Sequence, residues 1–157
     1  MRRGQKTLFS ALMMSLVLVP SVAATPPEAV TGTITLVSSL VTSSRQAGPN
    51  TISTAVNTIV IAGDVSGTAT FELRQVTHGD GSINTHGVAT CACTIDGMSG
   101  TVVFNVAGTG SLGPPFTFSG TAVVLSADGD LEGLHGWFTF EQVDVTSTYE
   151  GRIHIEG

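Results

Sequence analysis

The most reactive side chains in this sequence are two cysteines standing two apart, in Thr90-Cys91-Ala92-Cys93-Thr94. Their neighbours are small or β-branched, which favours a strand. Residues i and i+2 of a strand point to the same face, so both sulfurs share one side. On a regular strand their Cα atoms stand about 6.6 Å apart, near the upper limit for a disulfide. The expected state is therefore a pair of buried thiols on an inner face. A disulfide, which requires a local irregularity, is one alternative. A soft-metal site for Cu(I) or Zn is another. His86 has the opposite parity and brings the cysteines no further ligand. We expect no metal and no cofactor.

The other polar groupings read as ordinary surface. The histidines are His78, His86, His135 and His154. His135 and His154 fall on neighbouring strands facing outward and can approach each other, which suits solvated positions better than a metal site. Glu72 and Arg74 share a face, and Phe71 and Leu73 compete with them for the inside, so the charged pair is expected outward. Asp128, Asp130 and Glu132 alternate as calcium ligands do, but the EF-hand pattern is absent and Asp-Gly is a strong hairpin signal. No serine sits in a nucleophile elbow, and there is no phosphate-binding loop or zinc-protease motif. The sequence names no catalytic residue and leaves open whether the protein is an enzyme.

Turn residues set the elements that position these groups. Gly48-Pro49-Asn50, Gly63-Asp64, Gly79-Asp80-Gly81, Asp96-Gly97, Gly113-Pro114-Pro115, Asp128-Gly129-Asp130 and Asp144 cut the chain at short, even intervals. Strands are expected over about 30–42, 51–62, 65–77, 84–95, 99–109, 116–127, 132–142 and 146–156. Most alternate with period two. Ile34, Leu36 and Leu40 share one face of the first strand; Phe71 and Leu73 share one face of the third. Val102, Phe104 and Val106 do so in the fifth, Phe116, Phe118, Ala122 and Val124 in the sixth, Phe138 and Phe140 in the seventh, and Tyr149, Ile153 and Ile155 in the eighth. Such alternation buries one face and exposes the other. A meander of eight such strands predicts a single eight-stranded antiparallel β-barrel. Its interior is expected to carry Phe71, Leu73, Cys91, Cys93, Phe104, Phe116, Phe118, Phe138, Phe140 and Tyr149, the candidate ligand-binding residues. Val103, Val123, Leu125 and Trp137 have the outward parity. They suggest a contact surface, and leave homo-oligomerisation and ordinary surface scatter equally open.

The first residues read as an export signal. Arg2, Arg3 and Lys6 precede an apolar run from Leu8 to Val19, too short to span a bilayer as a stable helix. Val22-Ala23-Ala24 supplies small residues for cleavage after Ala24. The expected organisation is a signal peptide over 1–24 and a barrel domain over 25–157, secreted or periplasmic, with no membrane anchor after processing. Removing the leader leaves three arginines and no lysine against twelve acidic residues, a formal charge of −9. So acidic a domain repels nucleic acid and anionic lipid, so neither is expected as a partner.

Three motifs carry a family resemblance. Gly63-Asp64-Val65-Ser66-Gly67-Thr68 looks like a G-D-aliphatic-x-G strand entry. The stretch from Thr94 to Phe104 looks like a glycine hairpin of the G-T-L-x-G-x-S-G-S-F type, and Ala127 to Gly136 like one of the G-x-G-x-L-x-G-L-x-G type. In this order they resemble an uncharacterised bacterial family of small proteins related to the allene oxide cyclase and dirigent-like barrels. The resemblance covers about residues 60–157. It implies an allene-oxide-cyclase-like barrel with an apolar interior, in which any chemistry is conformational steering of a confined substrate. The resemblance implies that relatives often carry an acid–base pair after the aromatic of the fourth strand. Here Val88-Ala89-Thr90-Cys91-Ala92-Cys93 has no Glu, and no catalytic residue carries over. The expectation is an exported module holding a small apolar molecule. The alternatives are a cyclase or isomerase acting by confinement, and a structural or interaction protein with a filled barrel.

Overall fold

A computed structural model describes residues 26–156. The expected leader, 1–24, and its cleavage site at Ala24 lie outside them. Eight strands follow one another: β1 (Glu28–Ala47), β2 (Asn50–Gly63), β3 (Val65–Thr77), β4 (Ser82–Ile95), β5 (Met98–Ser111), β6 (Thr117–Ala127), β7 (Leu134–Val143) and β8 (Thr146–Ile155). A 3-10 turn at Gly129–Leu131 links β6 to β7. No α-helix occurs among the described residues. Each strand pairs antiparallel with the next, and β8 returns to β1, so one sheet closes in a ring.

The turn chemistry dictates this meander. Between β4 and β5, Ile95 pairs with Met98 across the two-residue loop Asp96-Gly97, whose φ angles are 49° and 78°. Two successive positive φ values give the turn whose twist matches an antiparallel hairpin, and Asp-Gly adopts it readily. In the β3–β4 turn the Ser82 amide and hydroxyl both donate to Asp80 Oδ1, at 2.9 and 2.7 Å. These bonds hold the Asp80 carboxyl below the usual carboxylate range.

Alternation then turns the apolar set inward. In β4, Ile83, Thr85, Ala89, Cys91, Cys93 and Ile95 are buried; in β5, Val102, Phe104 and Val106 are. Phe71, Phe118, Phe138, Phe140, Tyr149 and Ile153 complete the interior from the other strands. Phe116, expected within the sixth strand, sits just before its start, half-buried and packed against the core. Glu72 and Arg74 are exposed, as expected. On the outer surface Val123 pairs with Trp137, and both are exposed together with Leu125, while Val103 is half-buried.

One expectation on the first strand fails. Leu40 does not share the inner face of Ile34 and Leu36 but is 67% exposed. The register slips between Leu36 and Ser38, where Val37 is inserted as a bulge, so Leu40 pairs with Val56 and Val41 stands opposite Ala55. An extra residue reverses the parity of the residues after it, here as far as a second bulge between Val41 and Ser43.

Candidate functional site

The inner faces enclose a cavity of about 460 Å³. Its aromatic wall comes from β5–β8. Phe104 meets Phe138 edge-on with ring centroids 5.7 Å apart, Phe118 lies 5.3 Å from Phe140, and Phe138 lies 6.0 Å from Tyr149. Its aliphatic wall comes from β1–β3, with Ile34, Leu36, Ile59, Ile61 and Leu73. The cavity reaches the surface at the β7–β8 turn, where the exposed Asp144 and Val145 are among its lining residues.

Glycines on neighbouring strands make room for this wall. Tyr149 pairs with Gly32 and Phe138 with Gly151. A Cβ on Gly32 would stand 2.5 Å from Tyr149 Oη, and one on Gly151 2.6 Å from Phe138 Cδ1. Each ring therefore leans over a strand that has no side chain there, an arrangement that suits a tightly curved sheet.

Tyr149 also closes a gap in the sheet. The β2–β3 ladder ends at the pair Ile61 and Gly67, leaving Val65 without a β2 partner. The Tyr149 hydroxyl takes its place. It accepts from the Val65 amide at 2.9 Å and donates to the Val65 carbonyl at 3.0 Å. Burial raises the Tyr149 phenol above the ordinary tyrosine value; Asp64 nearby adds to the rise and the bond to Val65 opposes it.

Other polar groups in the lining are mostly engaged within the protein. Thr85 Oγ1 donates to Gln75 Oε1 at 3.4 Å, Gln75 Nε2 donates to Thr77 Oγ1 at 3.2 Å, and Ser147 Oγ donates to the Ile34 carbonyl at 3.4 Å. Gln142 Nε2 donates to the Asp144 carbonyl. The exception is Asn57, whose buried Oδ1 has no hydrogen-bond partner. Asp144 is the one carboxylate in the lining, and it lies at the exposed rim. General acid–base chemistry needs a titratable group within reach of the reacting atoms. Among the described residues the interior offers only the high-pKa phenol of Tyr149, already committed to Val65.

Of the candidates read from sequence, Phe71, Leu73, Phe104, Phe116, Phe118, Phe138, Phe140 and Tyr149 all line this cavity. Cys91 and Cys93 do not. They are buried on the inner side, as parity requires, but they form a disulfide with Cα atoms 5.3 Å apart. This corrects the preferred expectation of two thiols: the strand is locally shorter than the regular spacing assumed, which brings the sulfurs within reach. They belong to the packed end of the ring. Cys91 pairs with Val102 and Cys93 with Gly100, and the fully buried Leu131 of the 3-10 turn sits over Gly100.

The acids flanking that turn are structural. Asp128 Oδ1 accepts from the Thr101 amide at 2.7 Å, and Asp130 Oδ2 from the Ser99 amide at 3.4 Å. The His135 and His154 rings do meet, stacked with centroids 5.2 Å apart, and their Nε2 atoms lie 3.6 and 3.8 Å from the Glu156 carboxylate. Among the described residues no group of three or more His, Cys, Asp or Glu is arranged to hold a metal ion.

The sequence reading missed Ile59, Ile61, Ile83 and Ala89 as cavity residues, and the polar Asn57, Gln75 and Thr85. In β2 the signal was ambiguous, because Val56 and Val60 are as apolar as Ile59 and Ile61 but point the other way. In β4 it was weak, because the inward residues are mostly small.

Fold and cavity together define an all-β protein whose single antiparallel sheet closes in a ring of eight strands around an apolar interior. The chain belongs to the DUF3224 family, described as proteins of unknown function, whose model matches residues 30–153. A solved structure of a DUF3224 protein of unknown function from Shewanella oneidensis MR-1 is similar, with a TM-score of 0.64 and 16% identity. The match covers 83% of this chain and 98% of that one. At that identity the likeness speaks for the fold alone. No curated protein matches the chain. Of the resemblance read from the glycine hairpins, these findings support the uncharacterised family and its architecture.

Proposed function

We propose that this protein is an exported binding module that holds one small, mostly apolar molecule inside the ring. The observation that carries the reading is the cavity itself: about 460 Å³, walled by phenylalanines on one side and aliphatic residues on the other. That volume lies within the roughly 300–1,000 Å³ typical of small-molecule sites. Transfer of an apolar molecule from water into such a space is favourable at roughly 25 cal/mol per Å² of apolar surface removed. The Asn57 amide gives the ligand one internal hydrogen-bonding group. Export fits the reading of 1–24 as a leader and the acidic, lysine-free domain behind it.

A second reading, a cyclase or isomerase working by confinement, draws on the kinship to allene oxide cyclases suggested by the hairpins. The one structural feature in its favour is the unpaired Asn57 Oδ1, which could orient a polar substrate atom. Binding is the better account, because among the described residues the titratable groups of the lining are the Tyr149 phenol, which is committed to Val65, and Asp144 at the exposed rim.

The test is a fluorescence titration with the neutral apolar dye N-phenyl-1-naphthylamine. Wild-type protein is expected to enhance the emission saturably at one site per chain. Ala122→Phe, which fills the cavity from the inner face of β6, is expected to abolish the signal while keeping the fold. Dye enhancement equal in both proteins would show that the dye binds elsewhere and would defeat the proposal.

A further inference from the structure

β1 is a 20-residue strand, but only its first part belongs to the ring. It pairs with β8 from Glu28 to Thr35, and the last link is the Leu36 amide donating to the Val145 carbonyl at 3.0 Å. From Val37 to Ala47 it pairs with β2 alone. Among the described residues no strand lies along its other side. Residues 37–46 are all exposed, including Val37 at 60%, Leu40 at 67% and Val41 at 59%. An antiparallel strand with one partner leaves alternate N–H and C=O groups directed outward, ready for another strand.

This edge is held in place. Thr42 Oγ1 hydrogen-bonds Thr54 at its carbonyl (3.2 Å) and its hydroxyl (2.7 Å), and Ser43 Oγ lies 2.7 Å from the same hydroxyl. Proteins commonly blunt such edges with lysine, proline, inward charges or bulges. Here bulges at Val37 and Thr42 add twist, but the stretch from Leu36 to Ser44 has no charged residue and no proline.

Charge identifies the occupant. All twelve acidic residues lie outside 29–63, and that stretch contains a single charged residue, Arg45. A domain of net charge −9 repels its own copies over most of its surface. The β1–β2 arm is the acid-free part through which two copies can approach. We infer that the free edge of β1, from Val37 to Ala47, is a docking site for the same edge of a second copy. The two strands run antiparallel about a twofold axis. This joins backbone to backbone, brings Leu40 and Val41 of both copies together, and closes on itself with no edge left over. It is independent of the ligand reading. It does bear on it spatially, because Leu36 and Val145, at the head of the free edge, also line the cavity.

The test is sedimentation velocity on the purified protein over a range of concentrations, with amide hydrogen exchange on the same samples. Wild type is expected to form a dimer in which the outward-directed amides between Val37 and Ala47 become protected as concentration rises. Leu40→Glu places like charges in both copies at the joint. It is expected to weaken dimerisation by roughly tenfold or more. Because Leu40 is exposed, its far-UV spectrum and melting temperature should stay those of wild type. Trp137→Glu, on the separate outer patch of β6 and β7, serves as the control and should leave the dimer intact. A monomer at all concentrations would overturn the inference. So would a dimer that Leu40→Glu leaves unchanged and Trp137→Glu dissociates, or one in which the β1 edge amides still exchange freely.

Discussion

Replacing Tyr149 with Phe removes one oxygen and two hydrogen bonds. The hydroxyl lies where the β2–β3 ladder has stopped, and without it both the amide and the carbonyl of Val65 lose their partner. Val65 is 2% exposed and lines the cavity, so those groups are left facing the cavity and not bulk water. An unsatisfied buried backbone group costs about 1–3 kcal/mol. Two such groups, partly relieved by a cavity water, give an expected loss of about 2–4 kcal/mol. At ~4 °C per kcal/mol for a domain of this size, the melting temperature should fall by about 8–16 °C. Urea unfolding followed by far-UV circular dichroism measures the same loss as a lower midpoint at constant slope. The pH dependence gives a second signature. Burial raises the folded-state pKa of Tyr149 above the unfolded value near 10, so the neutral phenol stabilises the fold. That contribution is present in full below about pH 10 and is lost as pH climbs from there through the raised folded value. Tyr149→Phe should lack this alkaline decline. A variant within about 0.5 kcal/mol of wild type, with the same alkaline limb, would refute the assignment of Tyr149 as the clasp between β8 and β3.

Two further outcomes follow from the packing. Gly32→Ala drives a Cβ into the Ala62 carbonyl oxygen and puts it 2.5 Å from Tyr149 Oη. It should destabilise by about 1–3 kcal/mol or more in the same urea assay, and a neutral result would show that Tyr149 does not need that space. The Cys91–Cys93 disulfide predicts no free thiol in denatured, unreduced protein. Its closed loop is so short that reduction should cost only about 1–2 kcal/mol. Two titratable thiols in protein purified from an oxidising compartment would contradict the pairing.

Much of this architecture was legible because the turns and the alternation agree. Asp96-Gly97 and Gly48-Pro49 mark hairpins by their backbone preferences, and the phenylalanines of β5–β7 report their face without ambiguity. Phe104, Phe118, Phe138 and Phe140 could therefore be placed in the cavity from sequence. Three things could not. The bulge at Val37 leaves no compositional mark, yet it decides where Leu40 points and where β1 leaves the ring. The Cys91–Cys93 bond depends on the departure of one strand from ideal spacing, which alternation does not encode. The role of Tyr149 depends on a gap between β2 and β3, and Tyr149, 84 residues beyond Val65, reaches that gap only once β8 has closed onto β1.

Whether the ring holds a guest can be read from native mass spectrometry of the protein isolated from its own host. We predict a 1:1 complex with a small, weakly polar molecule that dissociates on activation and is absent from Ala122→Phe prepared in the same way. A bare chain, under gentle conditions that preserve a complex with added N-phenyl-1-naphthylamine, would contradict it.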